Sequence, residues 1–289
     1  MITIENNNLK VTIRNQGAEI TSIINKATAT EHIWQADPNV WPWHAPNLFP
    51  IVGGCFNNEI QVEGKSYSLG RHGFARNSEF MASDLKPTHA KFSLVYDENT
   101  LAVYPYKFTF QVLYDLIDNK LRVSYKVINN DNKTIYFSVG AHPAFNVPFN
   151  TNETLEDYYL EFEEDEPLET HLLTESGLFN GTKEVVPVEA GSLPLTKELF
   201  VKDALVLKDL KSRSVTIKSK NHERSLKVKF PHFNYLGLWS KPGSTFVCIE
   251  PWLGCADTEG KKWDVSEKEA IHALEHGHVF EVDFTIELN

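Results

Sequence analysis

The stretch Phe108-Thr109-Phe110-Gln111-Val112-Leu113-Tyr114-Asp115-Leu116, carried through Ile117-Asp118-Asn119-Lys120 into Leu121-Arg122-Val123-Ser124-Tyr125-Lys126-Val127, decides the fold class. Phe108, Phe110, Val112, Tyr114 and Leu116 fall at every second position, and Leu121, Val123, Tyr125 and Val127 repeat the pattern. Side chains on an extended strand point alternately to the two faces of a sheet, so this spacing describes strands with one buried face. Asp118-Asn119 supplies the turn between them, and Asn129-Asn130-Asp131-Asn132 supplies the next. Ile135, Phe137 and Val139 then begin a third run, so the segment reads as a three-stranded antiparallel meander.

The same period returns on the C-terminal side. Val215 and Ile217 alternate, as do Leu226, Val228 and Phe230, and Phe280, Val282, Phe284, Ile286 and Leu288 close the chain as a last strand. Many short strands separated by turn signals predict an all-β protein, a large antiparallel β-sandwich spanning residues 1–289 as one domain. Helical signals are few. Ser266 and Glu269 have capping-box spacing before Leu274, but the preferred reading makes Ile271 to Leu274 a short strand. Glu275-His276-Gly277-His278 is then a hairpin turn into the last strand. The acidic tract Glu161, Glu163, Glu164, Asp165, Glu166 reads as a solvated strand end.

Composition excludes several classes. Lys and Arg number 28 against 39 Asp and Glu, and the net charge of −11 disfavours nucleic-acid binding, which needs a basic face. No apolar run is long enough for a transmembrane helix, and Met1-Ile2-Thr3-Ile4-Glu5 lacks the basic and apolar regions of a signal peptide. Three cysteines (Cys55, Cys248 and Cys255) without a C-x-x-C fit a reducing, cytoplasmic setting in which all three are structural. The expected state is a monomer or a homodimer.

Four segments interrupt the strand pattern with polar residues among Gly, Pro and aromatics. In Trp41-Pro42-Trp43-His44-Ala45-Pro46-Asn47-Leu48-Phe49-Pro50 the prolines forbid helix, and the indoles could stack on sugar C–H faces or cap the core. In Arg71-His72-Gly73-Phe74-Ala75-Arg76, Gly73 admits a backbone conformation that can aim His72 into a cleft. In Gly140-Ala141-His142-Pro143-Ala144-Phe145-Asn146, Pro143 stops the strand and leaves a titratable imidazole at its end. In Phe246-Val247-Cys248-Ile249-Glu250-Pro251-Trp252, a carboxylate follows an apolar run, where lost solvation makes it a better base once ionised.

His272, His276 and His278 lie close together, but no Glu sits inside the pair as in H-E-x-x-H, so no metal site is assigned. No G-x-G-x-x-G, P-loop or G-x-S-x-G occurs, which leaves nucleotide cofactors and serine hydrolases without support.

Taken in order, five motifs resemble the aldose 1-epimerase (galactose mutarotase) family, most closely its LacX-like branch. They are Leu48-Phe49-Pro50-Ile51-Val52-Gly53, Arg71-His72-Gly73-Phe74-Ala75-Arg76, Gly140-Ala141-His142-Pro143-Ala144-Phe145, Leu199-Phe200-Val201-Lys202-Asp203-Ala204-Leu205 and Cys248-Ile249-Glu250-Pro251-Trp252. The resemblance implies a mutarotase-type sandwich with a sugar cleft, no cofactor and no metal, and a small-molecule sugar as partner. It implies Glu250 as the base, His142 as the acid, His72 as a second sugar-binding histidine and Asp203 as a holder of sugar hydroxyls, with Arg76 a further sugar contact. One departure stands out. Gly53-Gly54-Cys55-Phe56-Asn57-Asn58-Glu59 carries no arginine where family members carry one. A carbohydrate-binding protein that keeps the cleft without turnover is therefore the second reading. A glycosidase, which needs two flanking carboxylates, is the third.

Overall fold

A computed structural model of the chain describes residues 1–188 and 190–289. In it Phe108–Ile117 and Lys120–Asn129 pair antiparallel over their whole length, Phe108 opposite Asn129 and Ile117 opposite Lys120. The alternating residues Phe108, Phe110, Val112, Tyr114, Val123, Tyr125 and Val127 are all buried, so the period read from the sequence is the core face of this pair. His89–Val95 and Met81–Lys86 extend the sheet on one side. Val279–Leu288, Ser225–Lys229, Ser214–Ser219, Tyr158–Phe162 and Ser192–Pro194 extend it on the other, giving nine strands.

The third strand of the expected meander is elsewhere. Val279–Leu288 takes its place beside Lys120–Asn129. Ile135–Phe137 pairs with His272–Leu274, and Val139–Ala141 crosses into a second, eight-stranded sheet. Val139, Gly140 and Ala141 are buried on both faces, a pattern that fits an interior strand between neighbours rather than the half-solvated edge of a meander. His272–Leu274 is the short strand expected near the C-terminus, but it does not form a hairpin with Val279–Leu288. Both edges of that last strand are already occupied, by Lys120–Asn129 and Ser225–Lys229. The one α-helix among the described residues, Glu98–Val103, follows a reciprocal Asp97–Thr100 cap, a D-E-N-T spacing the strand pattern had overshadowed.

Phe246–Leu253 forms the spine of the second sheet, and all eight of its residues are buried. Val247, Ile249 and Leu253 face the core between the sheets, while Phe246, Cys248 and Trp252 belong to separate clusters on the opposite face. Tyr235–Trp239 lies along one edge, with Gly237 opposite Glu250 and Tyr235 opposite Trp252. Along the other edge Gly140 faces Trp252. A Cβ on Gly140 would come within 2.7 Å of the Trp252 ring, and one on Gly237 within 2.6 Å. The indole therefore lies across two glycines in a slot that no larger residue can line.

Pro143 does not end its strand, as expected, but interrupts it. Ala144–Asn146 resumes pairing with the same partner, Ala144 opposite Cys248. The register is the same on both sides of the break. His142 therefore lies across from Glu250, while its N–H continues the ladder to the neighbour on the other side, Asn47–Leu48, by donating to the Pro46 carbonyl at 3.0 Å.

The N-terminal sheet of four strands, from Ile2–Glu5 to Thr30–Glu31, is tied to this frame by polar side chains. Tyr125 donates to Asn47 Oδ1 at 2.7 Å, and Asn47 Nδ2 donates to the carbonyls of Gly17 and Ala18 at 2.9 and 3.1 Å. Buried Glu19 pairs with Arg14, and its Oε1 accepts from the N–H groups of His44 and Ala45 at 2.8 and 2.9 Å. The acidic tract is also more than a solvated strand end. Glu166 is buried and accepts from the backbone of Lys211 and Ser212 at 2.8 and 2.7 Å, and Glu163 accepts from Arg213 N–H. Unpaired donors at the 210–213 turn would otherwise be left without partners as the chain folds over them. Burial alone would raise the Glu166 carboxyl, but the two backbone donors outweigh it and hold the group below its ordinary range.

Two outcomes follow from this packing. Gly237→Ala should destabilise the protein by about 1–3 kcal/mol through overpacking against Trp252. Gly70→Ala, where a Cβ would meet nothing within 4 Å, should be near neutral. Denaturant midpoints compare the two, and an equal effect would mean the slot is not tight. Glu166→Gln should cost about 1–2 kcal/mol at neutral pH. Because the folded carboxyl is depressed, its contribution is present above the unfolded pKa and is lost as pH falls through the folded value. The gap between wild type and variant should therefore close on acidification, and a gap independent of pH would rule this account out.

Candidate active site

The five side chains singled out from the sequence converge on one cavity. His72, Arg76, His142, Asp203 and Glu250 all line a hollow of about 180 Å³, joined by Arg71, Trp41, Trp239 and Trp252. A cavity of ~150 Å³ holds a ligand of benzene size, so the space suits one six-membered ring. A wider groove of about 790 Å³ opens near Pro148, Lys197 and Thr245. Two of its carboxylates are already engaged, Glu31 by the N–H groups of Ile23 and Ile33 and Glu153 by Tyr158 and Asn150. The chemistry-bearing groups gather in the smaller one.

His142 and Glu250 are the centre of the arrangement. Their cross-strand opposition brings His142 Nε2 to 3.3 Å from Glu250 Oε2. The imidazole stacks on Trp41, with centroids 4.9 Å apart and planes at 27°, and meets the edge of Trp239 at 5.9 Å. Glu250 is only 1% exposed, and burial pushes its carboxyl well above the usual range, with Arg71 pulling the other way. Burial, reinforced by the Arg71 and Arg76 guanidinium groups, drives His142 down to about 3. A carboxyl pushed up beside an imidazole pushed down holds a single transferable proton, because the dry site disfavours charge on either partner. Among the described residues, His142 is the only basic side chain within ion-pair distance of Glu250.

His72 is fixed differently. Its backbone has a φ of 67°, and its N–H donates to the Gly53 carbonyl at 2.9 Å. In return Gly53 N–H donates to His72 Nδ1 at 3.1 Å, which leaves the ring proton on Nε2. Burial, together with Arg71, lowers its pKa well below the ordinary value, so the ring is a neutral donor. Gly73, with a φ of 69°, is needed at the next position, since a Cβ there would lie 2.4 Å from the Phe49 carbonyl oxygen. The His72 and His142 rings meet edge to face at 5.7 Å.

The arginines divide the work of holding the rim. Arg76 Nη2 donates to the Arg71 carbonyl at 2.9 Å, and its guanidinium lies 5.2 Å over the Trp43 ring. Arg71 packs on the Gly177 turn and turns its guanidinium to the cavity. It was not among the residues picked from the sequence, although it opens the R-H-G-F-A-R motif. It brings a guanidinium to a cavity whose first motif carries none. Asp203 sits in a turn with a φ of 90°, its Oδ1 accepting from Ala204 N–H at 2.7 Å, ahead of the strand Leu205–Lys208. Trp239 was also missed. The signal was the alternation Tyr235-Leu236-Gly237-Leu238-Trp239, whose polar-side residue is an indole.

The C-terminal histidines diverge. His272 stacks on Phe137, and His276 Nδ1 is bonded to the Asp131 carbonyl. Among the described residues, the group whose atoms could converge on a metal is instead His142, Cys248 and Glu250, all within 4.8 Å of one another. Cys248 thus abuts the acid/base pair. All three cysteines are buried free thiols.

Comparison with known proteins gives the family and the fold. The sequence model of the family described as aldose 1-epimerase matches residues 1–278. The chromosomal protein LacX of Lactococcus lactis subsp. lactis is 37% identical over 262 residues, 88% of this chain and 87% of that one. A galactose mutarotase related enzyme from Lactobacillus acidophilus superposes with a TM-score of 0.95 at 35% identity, covering 100% of this chain and 97% of its own. A galactose mutarotase-like protein from Lactobacillus casei gives 0.94 at 33% identity, with 100% of both chains covered. The fold is the galactose mutarotase-type sandwich, and the chain belongs to the aldose 1-epimerase family.

Proposed function

We propose that this cavity interconverts the α and β anomers of a free aldose by opening and reclosing the sugar ring. The observation that carries the reading is the isolated pair of Glu250 and His142, opposed across two strands at 3.3 Å in a cavity sized for one ring. With the ring closed and the pair present as carboxylate and imidazolium, Glu250 takes the proton of the anomeric hydroxyl. His142 gives its proton to the ring oxygen, and the C1–O5 bond breaks. The open chain then faces a neutral carboxyl and a neutral imidazole, the state that burial of both groups favours. Rotation about C1–C2 offers the other face of the aldehyde. O5 attacks it, His142 takes back the proton from O5–H, and Glu250 returns its own to O1. Protons balance over the cycle without any further group.

The remaining side chains bind and orient. His72 Nε2–H is a neutral donor toward a ring or hydroxyl oxygen. Asp203 accepts from sugar hydroxyls, while Arg71 and Arg76 donate to them. Trp41, Trp239 and Trp252 offer apolar ring faces to the C–H side of the pyranose. No helix among the described residues is long and apolar enough to cross a membrane.

Two outcomes test this function. Glu250→Gln keeps the shape of the side chain but cannot accept a proton. It should lower the rate of optical-rotation decay of freshly dissolved aldose anomers by at least ~10²-fold, with His142→Asn close behind. Near-normal turnover in Glu250→Gln would remove it from the mechanism, and an uncatalysed rate for wild type with every aldose tried would favour the non-catalytic binding reading. His72→Asn should raise KM more than it lowers kcat, because it removes a donor that contacts the sugar throughout the cycle. A pure kcat effect would make His72 a proton-transfer group instead.

A further inference from the structure

Cys248 and Glu250 stand two residues apart on one face of Phe246–Leu253, and the register places His142 across from Glu250. The thiol lies behind the cavity, in a cluster with Ala144 and Phe246 that Trp41 and Trp239 cover. The acid/base cycle does not use it. We propose that His142 Nε2, Cys248 Sγ and a Glu250 carboxylate oxygen form a binding site for one zinc-class divalent cation, and that the ion, once seated, blocks the reacting pair. This makes the metal an inhibitor of the reaction and not a component of it. The inhibitory half rests on the function proposed above; the binding half does not.

The donor set selects the class of ion. Imidazole, thiolate and carboxylate together suit zinc or its spectroscopic surrogate cobalt, whereas magnesium and calcium take oxygen alone. The geometry is close to what such an ion needs. Bonds of about 2.0–2.1 Å to nitrogen and oxygen at tetrahedral angles imply an N···O edge of about 3.3–3.4 Å, and the structure has 3.3 Å. The three donor atoms lie within 4.8 Å of one another, so seating the ion draws the sulfur inward by about an ångström. Glu250 Oε2 is buried without a hydrogen-bond partner. A lone pair left in this state is what a cation would satisfy. The Trp41 stack already holds the plane of the His142 ring.

Charge limits how tightly the ion is held. Arg71 and Arg76 line the same cavity and oppose a dication, while Asp203 favours it. Binding releases two protons to solvent, one from the Cys248 thiol and the one held by the His142–Glu250 pair, so that thiolate and carboxylate together offset the ion's two charges. The open fourth position faces the cavity, where the anomeric oxygen of a sugar would otherwise lie. Sugar and ion therefore compete.

The test uses the full chain after chelator treatment. Titration with Co²⁺ should give one equivalent bound and a thiolate-to-cobalt charge-transfer band, which Zn²⁺ then abolishes by displacement. The rotation-decay rate should fall over the same range of Zn²⁺ and recover on adding chelator. Cys248→Ser should keep the metal-free rate and lose affinity by at least the ~10–100-fold that removing an outer-shell partner costs. Cys255→Ser, a buried thiol outside the three-residue group, should change neither. If Cys248→Ser does not fold by melting temperature, Cys248→Ala serves in its place. Absence of the cobalt band, or undiminished zinc affinity in the Cys248 variant, overturns the site. Saturating zinc that leaves the rate unchanged overturns the inhibitory role. If wild type turns over no aldose, the cobalt titration alone still decides whether the site exists.

Discussion

Val139–Ala141 and Ala144–Asn146 pair with Phe246–Leu253 in one unbroken register, although a proline stands between them. The rest of the cavity depends on that constancy. A slip of one residue would carry Glu250 to the core face, where Val247 and Ile249 pack, and bury a carboxyl among aliphatic side chains. With the register held, the proline removes one ladder donor toward Phe246–Leu253, while His142 N–H keeps its in-register partner, Pro46, on the opposite neighbour, so the imidazole is presented at the break beside Glu250. A second constraint is coupled to the first. Trp252, facing Gly140 and Gly237, can lie flat only because neither neighbour carries a side chain.

The electrostatics follow from this burial. Glu250 and His142 are displaced in opposite directions by the same dry surroundings, and Arg71 opposes the shift of the first while adding to that of the second. The cavity thus combines two groups that prefer to be neutral with two guanidinium groups. In a protein with a net charge of −11, Arg71 and Arg76 both line this one cavity, together with Asp203.

Much of this was legible in the sequence. Phe108 through Val127 declared its strands because each apolar side chain had to reach a single core. The candidate site residues His72, His142 and Glu250 were legible because they fall in motifs that interrupt the alternation with polar groups, whereas Asp203 was named only through the family resemblance. What was not legible depended on partners far along the chain. Nothing local says that Val139 leaves its neighbour's sheet, since the choice is made by Val279–Leu288 arriving about 140 positions later to fill the vacancy. Glu166 looked solvated because its two donors sit on the 210–213 turn. Arg71 looked like a flanking charge because its direction is set by the bend at His72 and by the Gly177 turn beneath it.

The glycine slot under Trp252 also bears on how such a cavity could change over evolutionary time. Its floor is made of backbone and an indole in mutual contact, so a single substitution there meets a steric barrier before it meets selection. Asp203 meets no such packing barrier, although its φ of 90° limits which residues can stand there. It sits in a turn at the mouth, partly exposed, and its side chain is satisfied by its own neighbour's N–H. Divergence toward new sugars should therefore run through the mouth, with the floor carried along as an inherited and almost silent part of the design.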